Sequence, residues 1–246
     1  MTQTGLIDDI INDLGLNTPL TKYEKHNTPA TAVLQSDSDK PAFTEQWSYC
    51  SIIGKLNFLA QNTRPDISFA VHQCAKFCNN PCQSHGIAIK RIGRYLKATA
   101  DKGLILRPDG TNQLNAYVDA DFCGAWSFEQ AHVRDHNLSR AGYVITYSGC
   151  PIYWKSTLEK QIALSTCEAE YIALSMCCRS LIPMRRLMID IFNKFSIHLD
   201  QSKTDINSKL RNSVILEDNA AAITLANDGD KYRPSTKHLS IKWHHF

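Results

Sequence analysis

Near residue 112 the hydrophobic spacing of this chain changes, and that change limits what it can fold into. Upstream, apolar residues recur at intervals of three and four; downstream they alternate or gather in short β-branched and aromatic runs. Leu6, Ile7, Ile10, Ile11 and Leu14 predict a short amphipathic helix over 5–16. Residues 17–45 are polar and carry Pro19, Pro29 and Pro41, which reads as a loop or linker. Trp47, Cys50, Ile53, Leu56 and Leu59 predict a helix over 46–62. Arg64-Pro65-Asp66 ends it, and a second helix starts after Pro65 with Ile67, Ala70, Val71 and Cys74.

A third helix is expected over 84–98. Ile89, Ile92 and Leu96 share one face; Lys90, Arg94 and Lys97 share another, with Arg91 between. Such a basic face is either solvated or laid along a phosphate backbone.

Beyond residue 112, three strands are expected at 114–122, 141–148 and 150–156. The last two form a hairpin around Ser148-Gly149. A further short strand is read at 161–165. A long helix follows over 166–195, where Pro183 should kink or split it. Residues 196–212 are a polar connection, Val214-Ile215-Leu216 a short buried strand, and 219–227 a compact helix. Strands followed by alternating helix and strand make a mixed α/β arrangement.

The whole chain sets wider bounds. Its 246 residues, 43% hydrophobic, suffice for one large domain or two small ones. A net charge of +3 permits nucleic-acid binding without requiring it. Nine cysteines in no regular framework fit reduced thiols inside a cell. No secretory signal and no apolar run of membrane-spanning length is visible, so a soluble intracellular chain is expected.

Acids in the second half carry the chemistry. Asp119 and Asp121 end an apolar strand and, two residues apart, point to one face. Glu168 and Glu170 open a helix and lie on nearly opposite sides of it. Asp218 follows the strand at 214–216. Acids so placed can converge on divalent metal ions at one sheet edge. Mg²⁺ is a hard ion that prefers carboxylate oxygens, and paired ions serve phosphodiester hydrolysis. Acids at strand ends and helix starts also serve as caps and solvated charges. Spacing alone does not choose between Asp119 and Asp121, or between Glu168 and Glu170.

Other constellations are weaker. Cys74, Cys78, Cys82 and His85 have a spacing compatible with zinc, but an amphipathic helix with core cysteines explains it better. His132 and His136 fall in a polar segment between strands and read as surface residues. His244 and His245 stand at the extreme C-terminus. Tyr153 and Trp154 read as core or sheet-surface residues rather than a base-stacking platform.

Taken together, these runs resemble one family. YVDADFCG at 117–124, SRAGYV at 139–144, IYWKS at 152–156, ALSTCEAEY at 163–171, EDNAAAI at 217–223 and STKHL at 235–239 occur in the order seen in the ribonuclease H domain of copia-type retrotransposon Pol polyproteins. YCSIIGKLNFL at 49–59, TRPDI at 63–67 and KRIGRYLK at 90–97 resemble the tail of the reverse transcriptase in the same polyproteins. The resemblance covers nearly the whole chain apart from 17–45.

The resemblance implies a mainly helical reverse-transcriptase thumb or connection segment over 1–112. Behind it, an RNase H-like mixed sheet with flanking helices is implied over 113–246. It makes Asp119, Glu170 and Asp218 the metal-holding and catalytic acids, with Mg²⁺ or Mn²⁺ as cofactor. Asp121 and Glu168 become their neighbours, and Lys90, Arg94 and Lys97 become contacts to the nucleic-acid backbone. The implied activity is endonucleolytic hydrolysis of the RNA strand of an RNA–DNA hybrid during reverse transcription. The rest of the polyprotein is the implied partner, and a cytoplasmic retroelement particle the implied place, with the nucleus second. An inactive nucleic-acid-binding relic is the alternative; a transposase or integrase nuclease, which shares an acid triad, is a third reading.

Departures from the family pattern qualify this. The polymerase Tyr-x-Asp-Asp motif is absent, and Asp8-Asp9 fits an amphipathic helix instead, so no DNA polymerisation is expected. The family's last strand and fourth acid would fall beyond Phe246, as in a truncated domain. Ser240 stands where relatives often carry Asp.

Overall fold

The computed structural model describes residues 1–22, 24–35, 41–195, 210 and 212–227. The chain separates into two compact units, Met1–Ile105 and Leu106–Phe246.

The first unit is built on helices. Helix α1 spans Thr4–Asp13, α2 Tyr49–Asn62, α3 Ser68–Ala75 and α4 Gln83–Ala98, with a 3₁₀ turn at Pro65–Ile67 leading into α3. Each offers an apolar stripe to one core: Ile7 and Ile10, Ile52, Leu56 and Leu59, Ile67 and Val71, Ile89, Ile92 and Leu96. Gly93 lets the end of α1 approach α4 closely, since a Cβ there would lie 2.6 Å from a Leu14 methyl and 2.8 Å from a Leu16 methyl. Asp8 and Asp9 lie exposed on α1 while Ile7, Ile10 and Ile11 are buried, as an amphipathic helix requires.

The motif at 63–67 is a joint. Arg64 is only 2% exposed; its Nη1 donates to the Thr99 carbonyl at 3.0 Å and its Nη2 to Asp66 Oδ2 at 2.8 Å. The Tyr95 hydroxyl donates to the same Asp66 oxygen at 2.8 Å. Burial pushes the Asp66 carboxyl up, but the bonds from Arg64 and Tyr95 outweigh it and hold the group below its ordinary value. The Pro65 break between α2 and α3 is thereby tied to the end of α4.

The described part of the linker at 17–45 is pinned to α4. Lys97 Nζ donates to the carbonyls of Leu16 and, at 2.7 Å, Thr18. The Gln83 N–H donates to the Pro41 carbonyl at 2.9 Å, and Ala42 forms an isolated bridge with Cys82.

The second unit is mixed α/β. Strands β1 (Leu114–Asp121), β2 (Arg140–Tyr147) and β3 (Cys150–Leu158) form an antiparallel meander, and β4 (Val214–Leu216) pairs parallel with β1. The sheet order is β3-β2-β1-β4, which places β1 inside the sheet. Helix α5 (Thr166–Lys194) packs on β1 and β2, and α6 (Ala220–Asn227) packs on α5. The hairpin turn is made by Ser148 (φ 47°) and Gly149 (φ 74°), both left-handed, as a two-residue turn that follows the strand twist demands. Along β1, Leu114, Ala116 and Val118 face a core with Ala169, Ile172, Ala173 and Cys177 of α5. Burying a side chain such as Ile172 contributes about 1.5–3 kcal/mol.

Three expectations need correction. Residues 161–165 are not a strand: Ile162 and Leu164 are exposed, and the Leu164 N–H is taken by Glu168 to build the start of α5. Pro183 neither splits nor ends α5, which runs unbroken through it. Pro183 removes one donor on an exposed stretch, while Leu181, Met184 and Met188 on either side keep the helix on the core. Strand β4 is not buried: Val214 is 47% and Leu216 44% exposed, and only Ile215 packs inward. The connection at 196–209, the motif at 235–239, Ser240, His244 and His245 lie outside the described residues.

Candidate active site

Strand β1 and the chain after β4 run parallel, so their C-terminal ends open on the same sheet edge. The start of α5 comes to that edge as well. Its N-cap is Ser165, whose Oγ accepts the Glu168 N–H at 3.1 Å. Glu170 then lies on the turn that faces β1, and the Ala120 backbone N–H donates to its carboxylate.

Asp119, Glu170 and Asp218 each bring one carboxylate oxygen to this place, all within 4.8 Å of one another. Glu170 is buried, whereas Asp119 and Asp218 are exposed. The cluster is therefore closed behind and open in front. Burial, then the charges of Glu217, Asp119 and Asp218, push the Glu170 carboxyl up to about 7. Its Oε2 is buried without a hydrogen-bond partner. Like charges crowded at a half-open edge, with spare carboxylate oxygens, form a donor set suited to a hard divalent cation.

Local backbone geometry separates the two acids of β1. Asp121 pairs across the sheet with Arg140, and a Cβ on Gly124 would run into its carboxylate. Cys123 takes a left-handed φ of 48°, turning the chain so that Gly124 makes that room. Among the described residues Asp121 does not join the three converging acids. Glu168 does not join them either; its Oε2 accepts the Leu164 N–H at 2.8 Å.

Two further acids near the site were not singled out by sequence reasoning. Glu159 follows β3, is 1% exposed, and neither carboxylate oxygen has a hydrogen-bond partner. Burial, then Glu168 and Glu170, push it up to about 8. In sequence it precedes Lys160 in a polar stretch and looks solvated. Glu217 sits beside Asp218; its Oε1 accepts the Asn219 N–H at 3.1 Å, and burial raises its carboxyl. Its position next to a strand-ending acid was the one available hint.

The basic residues of α4 belong to the first unit, and its lysines are engaged within it. Lys90 Nζ lies 2.8 Å from Glu45 Oε1, Arg94 Nε lies 3.8 Å from Glu24 Oε1, and Lys97 holds two backbone carbonyls. The cysteine-rich segment is not a metal centre among the described residues. His85 accepts the Cys82 N–H on Nδ1 at 3.1 Å, places Nε2 2.9 Å from the Gln35 carbonyl, and stacks on Phe77. His136 is buried rather than a surface residue. No described helix is long and apolar enough to cross a membrane.

Comparison with known proteins places these elements in context. The chain is 33% identical over 197 residues to the retrovirus-related Pol polyprotein from transposon TNT 1-94 of Nicotiana tabacum, a match covering 80% of this chain and 13% of that protein. It is 39% identical over 128 residues to the corresponding polyprotein from transposon RE1 of Arabidopsis thaliana, covering 52% of this chain and 8% of that protein. It is also 36% identical over 127 residues to secreted RxLR effector protein 161 of Plasmopara viticola, covering 52% of this chain and 84% of that protein. The chain thus spans a small part of the two polyproteins. No protein-family model matches it, and no solved structure does.

Proposed function

Because this chain belongs to the retrovirus-related Pol polyproteins of copia-type transposons, we propose that its second unit is a ribonuclease H-like domain that hydrolyses the RNA strand of RNA–DNA hybrids. The observation that carries this reading is the convergence of Asp119, Glu170 and Asp218 from β1, α5 and the end of β4. A mixed sheet in the order β3-β2-β1-β4, with α5 across it, is compatible with that fold. The first unit, on the same reading, is a reverse-transcriptase thumb or connection segment, and the remainder of the polyprotein is its partner. A cytoplasmic retroelement particle is the proposed setting.

Asp119, Glu170 and Asp218 would hold Mg²⁺ or Mn²⁺. When bound, a divalent cation supplies charge neutralisation at the phosphodiester and an activated water. The chain's own residues set the stage for it. Exposed Asp119 and Asp218 face the side from which a strand backbone can approach, and Glu170 closes the back. Arg140 stands opposite Asp121 in the register of β1 and β2, where the opposite charges attract. Glu168 fixes the first turn of α5, and so the position of Glu170, through the Leu164 N–H. The hybrid would be read by shape, through phosphates and 2′-hydroxyls, because an A-like helix hides its base edges. Backbone contact by Lys90, Arg94 and Lys97 would require the two lysines to exchange their internal partners for phosphates.

The alternative reading is nucleic-acid binding without cleavage. The test offers end-labelled RNA–DNA hybrid, double-stranded DNA and single-stranded RNA to the purified chain with Mg²⁺ or Mn²⁺. Cleavage confined to the RNA of the hybrid supports the nuclease. Hybrid binding without products supports the second reading, and cutting of duplex DNA points to a transposase-type nuclease.

A further inference from the structure

A cavity of about 350 Å³ opens in the first unit beside α3, α4 and the segment at 26–34. That is near the lower end for ligand pockets, which run from about 300 to 1,000 Å³. It has room for a molecule of nucleotide size and not for a helix or strand of a partner. Leu34, Ala70, Ala88 and Ile92 give it apolar walls, and His26, Gln73, Arg91 and Arg94 are among the polar side chains that line it.

The cations of α4 fall into two sets. Lys90 and Lys97 spend their donors on Glu45 and on backbone carbonyls. Arg91 and Arg94, which line the cavity, keep donors in reserve. Arg91 donates from Nη2 to Thr28 Oγ1 at 3.3 Å, but its Nε is buried without a hydrogen-bond partner. Arg94 Nε also has none, and its 3.8 Å separation from Glu24 Oε1 is too long for one. The other Glu24 oxygen already accepts the Thr21 N–H and hydroxyl. Three residues apart on a helix, the two guanidiniums are neighbours against an apolar wall, an arrangement an anion would relieve.

Two further groups speak to the ligand. Burial, then Arg91 and Arg94, hold the His26 imidazole below its ordinary value, with Glu24 opposing, as expected in a positive local field. Gln73 is 3% exposed, and its Oε1 has no donor. A buried amide carbonyl without a donor, beside two guanidiniums and an apolar wall, matches a ligand with a phosphate, a flat apolar body and an N–H at its edge.

We propose that this cavity binds a phosphorylated nucleoside, with Arg91 and Arg94 on the phosphate, the apolar walls around the base and the Gln73 carbonyl on a base N–H. The nucleotide would come either free or as the 5′-phosphorylated end of a strand. The site shares no residue with the acid cluster, so it stands or falls separately from the nuclease reading.

Calorimetric titration of the full 246-residue chain tests it, using adenosine 5′-monophosphate, ribose 5-phosphate, inorganic phosphate and a 5′-phosphorylated oligonucleotide. The nucleotide should bind with a one-to-one stoichiometry, and the two base-less phosphates at least tenfold more weakly. Arg91→Gln and Arg94→Gln should each weaken the nucleotide at least tenfold. Gln73→Leu should weaken the nucleotide and leave inorganic phosphate unchanged. Since Gln73 is buried, Ala32→Trp at the exposed rim provides a second variant; it should abolish binding without lowering the melting temperature. Competition by the oligonucleotide assigns the site to a strand end, and lack of competition to the free nucleotide. No nucleotide binding, equal binding by all three small phosphates, or binding unaffected by Ala32→Trp overturns the proposal.

Discussion

Glu168 and Glu170 stand two residues apart at the start of α5 and serve different partners: Glu170 meets Asp119 and Asp218 at the sheet edge, while Glu168 turns back to the Leu164 N–H at 2.8 Å. Glu170 is a candidate cation ligand and Glu168 part of a helix cap. Substitution should separate them. Glu168→Ala should destabilise the second unit by about 1 kcal/mol, the usual cost of losing a cap, and leave Mn²⁺ binding within a few-fold of wild type. Glu170→Gln should leave the fold intact and weaken Mn²⁺ binding at least tenfold. Urea unfolding and Mn²⁺ titration measure the two effects.

The acid cluster makes stability depend on pH. Glu170 is pushed up to about 7 and Glu159 up to about 8, from an ordinary value of 4.5. In that window the folded chain holds protons that the unfolded chain has released. Their contribution is therefore fully present below about pH 4.5 and is lost as pH rises to about 8. Without added cation, the melting temperature should fall across this range, and Glu159→Gln should flatten the upper part of the fall. Mg²⁺ should raise the melting temperature more at pH 8 than at pH 5, because cation and proton compete for the same carboxylates. Thermal melts in chelator and in Mg²⁺ read both effects.

The joint at Arg64 should matter to the first unit alone. Arg64→Leu removes bonds to Thr99 and Asp66 and leaves Asp66 with the Tyr95 hydroxyl but without its cationic partner. Bonds of this charged kind contribute about 1.5–3 kcal/mol, and a loss of that size is expected in urea unfolding. Arg64→Lys should restore little, since a lysine lacks the fork that reaches both partners.

The β2–β3 turn gives a backbone test. Gly149 has φ 74°, and a Cβ there would sit 3.0 Å from the Asp109 carboxylate. Gly149→Ala should cost about 1–2 kcal/mol from the left-handed backbone alone. Gly149→Asn should cost less than the alanine, since asparagine accepts that conformation more readily. Equilibrium unfolding of the two variants checks the contrast.

Much of this architecture was legible because single elements announced themselves. Ile89, Ile92 and Leu96 define the buried face of α4, and Ser148-Gly149 marks the hairpin. The acids at 119, 170 and 218 could be chosen over 121 and 168 only through the surrounding motifs. What distinguishes them, the turn at Gly124 beside Asp121 and the Leu164 bond of Glu168, lies in backbone geometry that spacing does not disclose. Glu159 was missed because its burial comes from packing that a polar stretch does not disclose. The 161–165 segment misled because its apolar residues are exposed beside a cap. Lys90 and Lys97 read as a free basic face, but the linker folds back on them, and nothing in α4 itself announces that.

Asp119, Glu170 and Asp218 are proposed to act together on an RNA–DNA hybrid. The direct measurement is the initial rate of hybrid cleavage in Mg²⁺ by the wild-type chain and by Asp119→Asn, Glu170→Gln and Asp218→Asn, each checked for wild-type folding. Wild type should cleave the RNA strand, and every variant should lose at least a hundredfold. Cleavage that survives any one of the three substitutions would contradict that joint role.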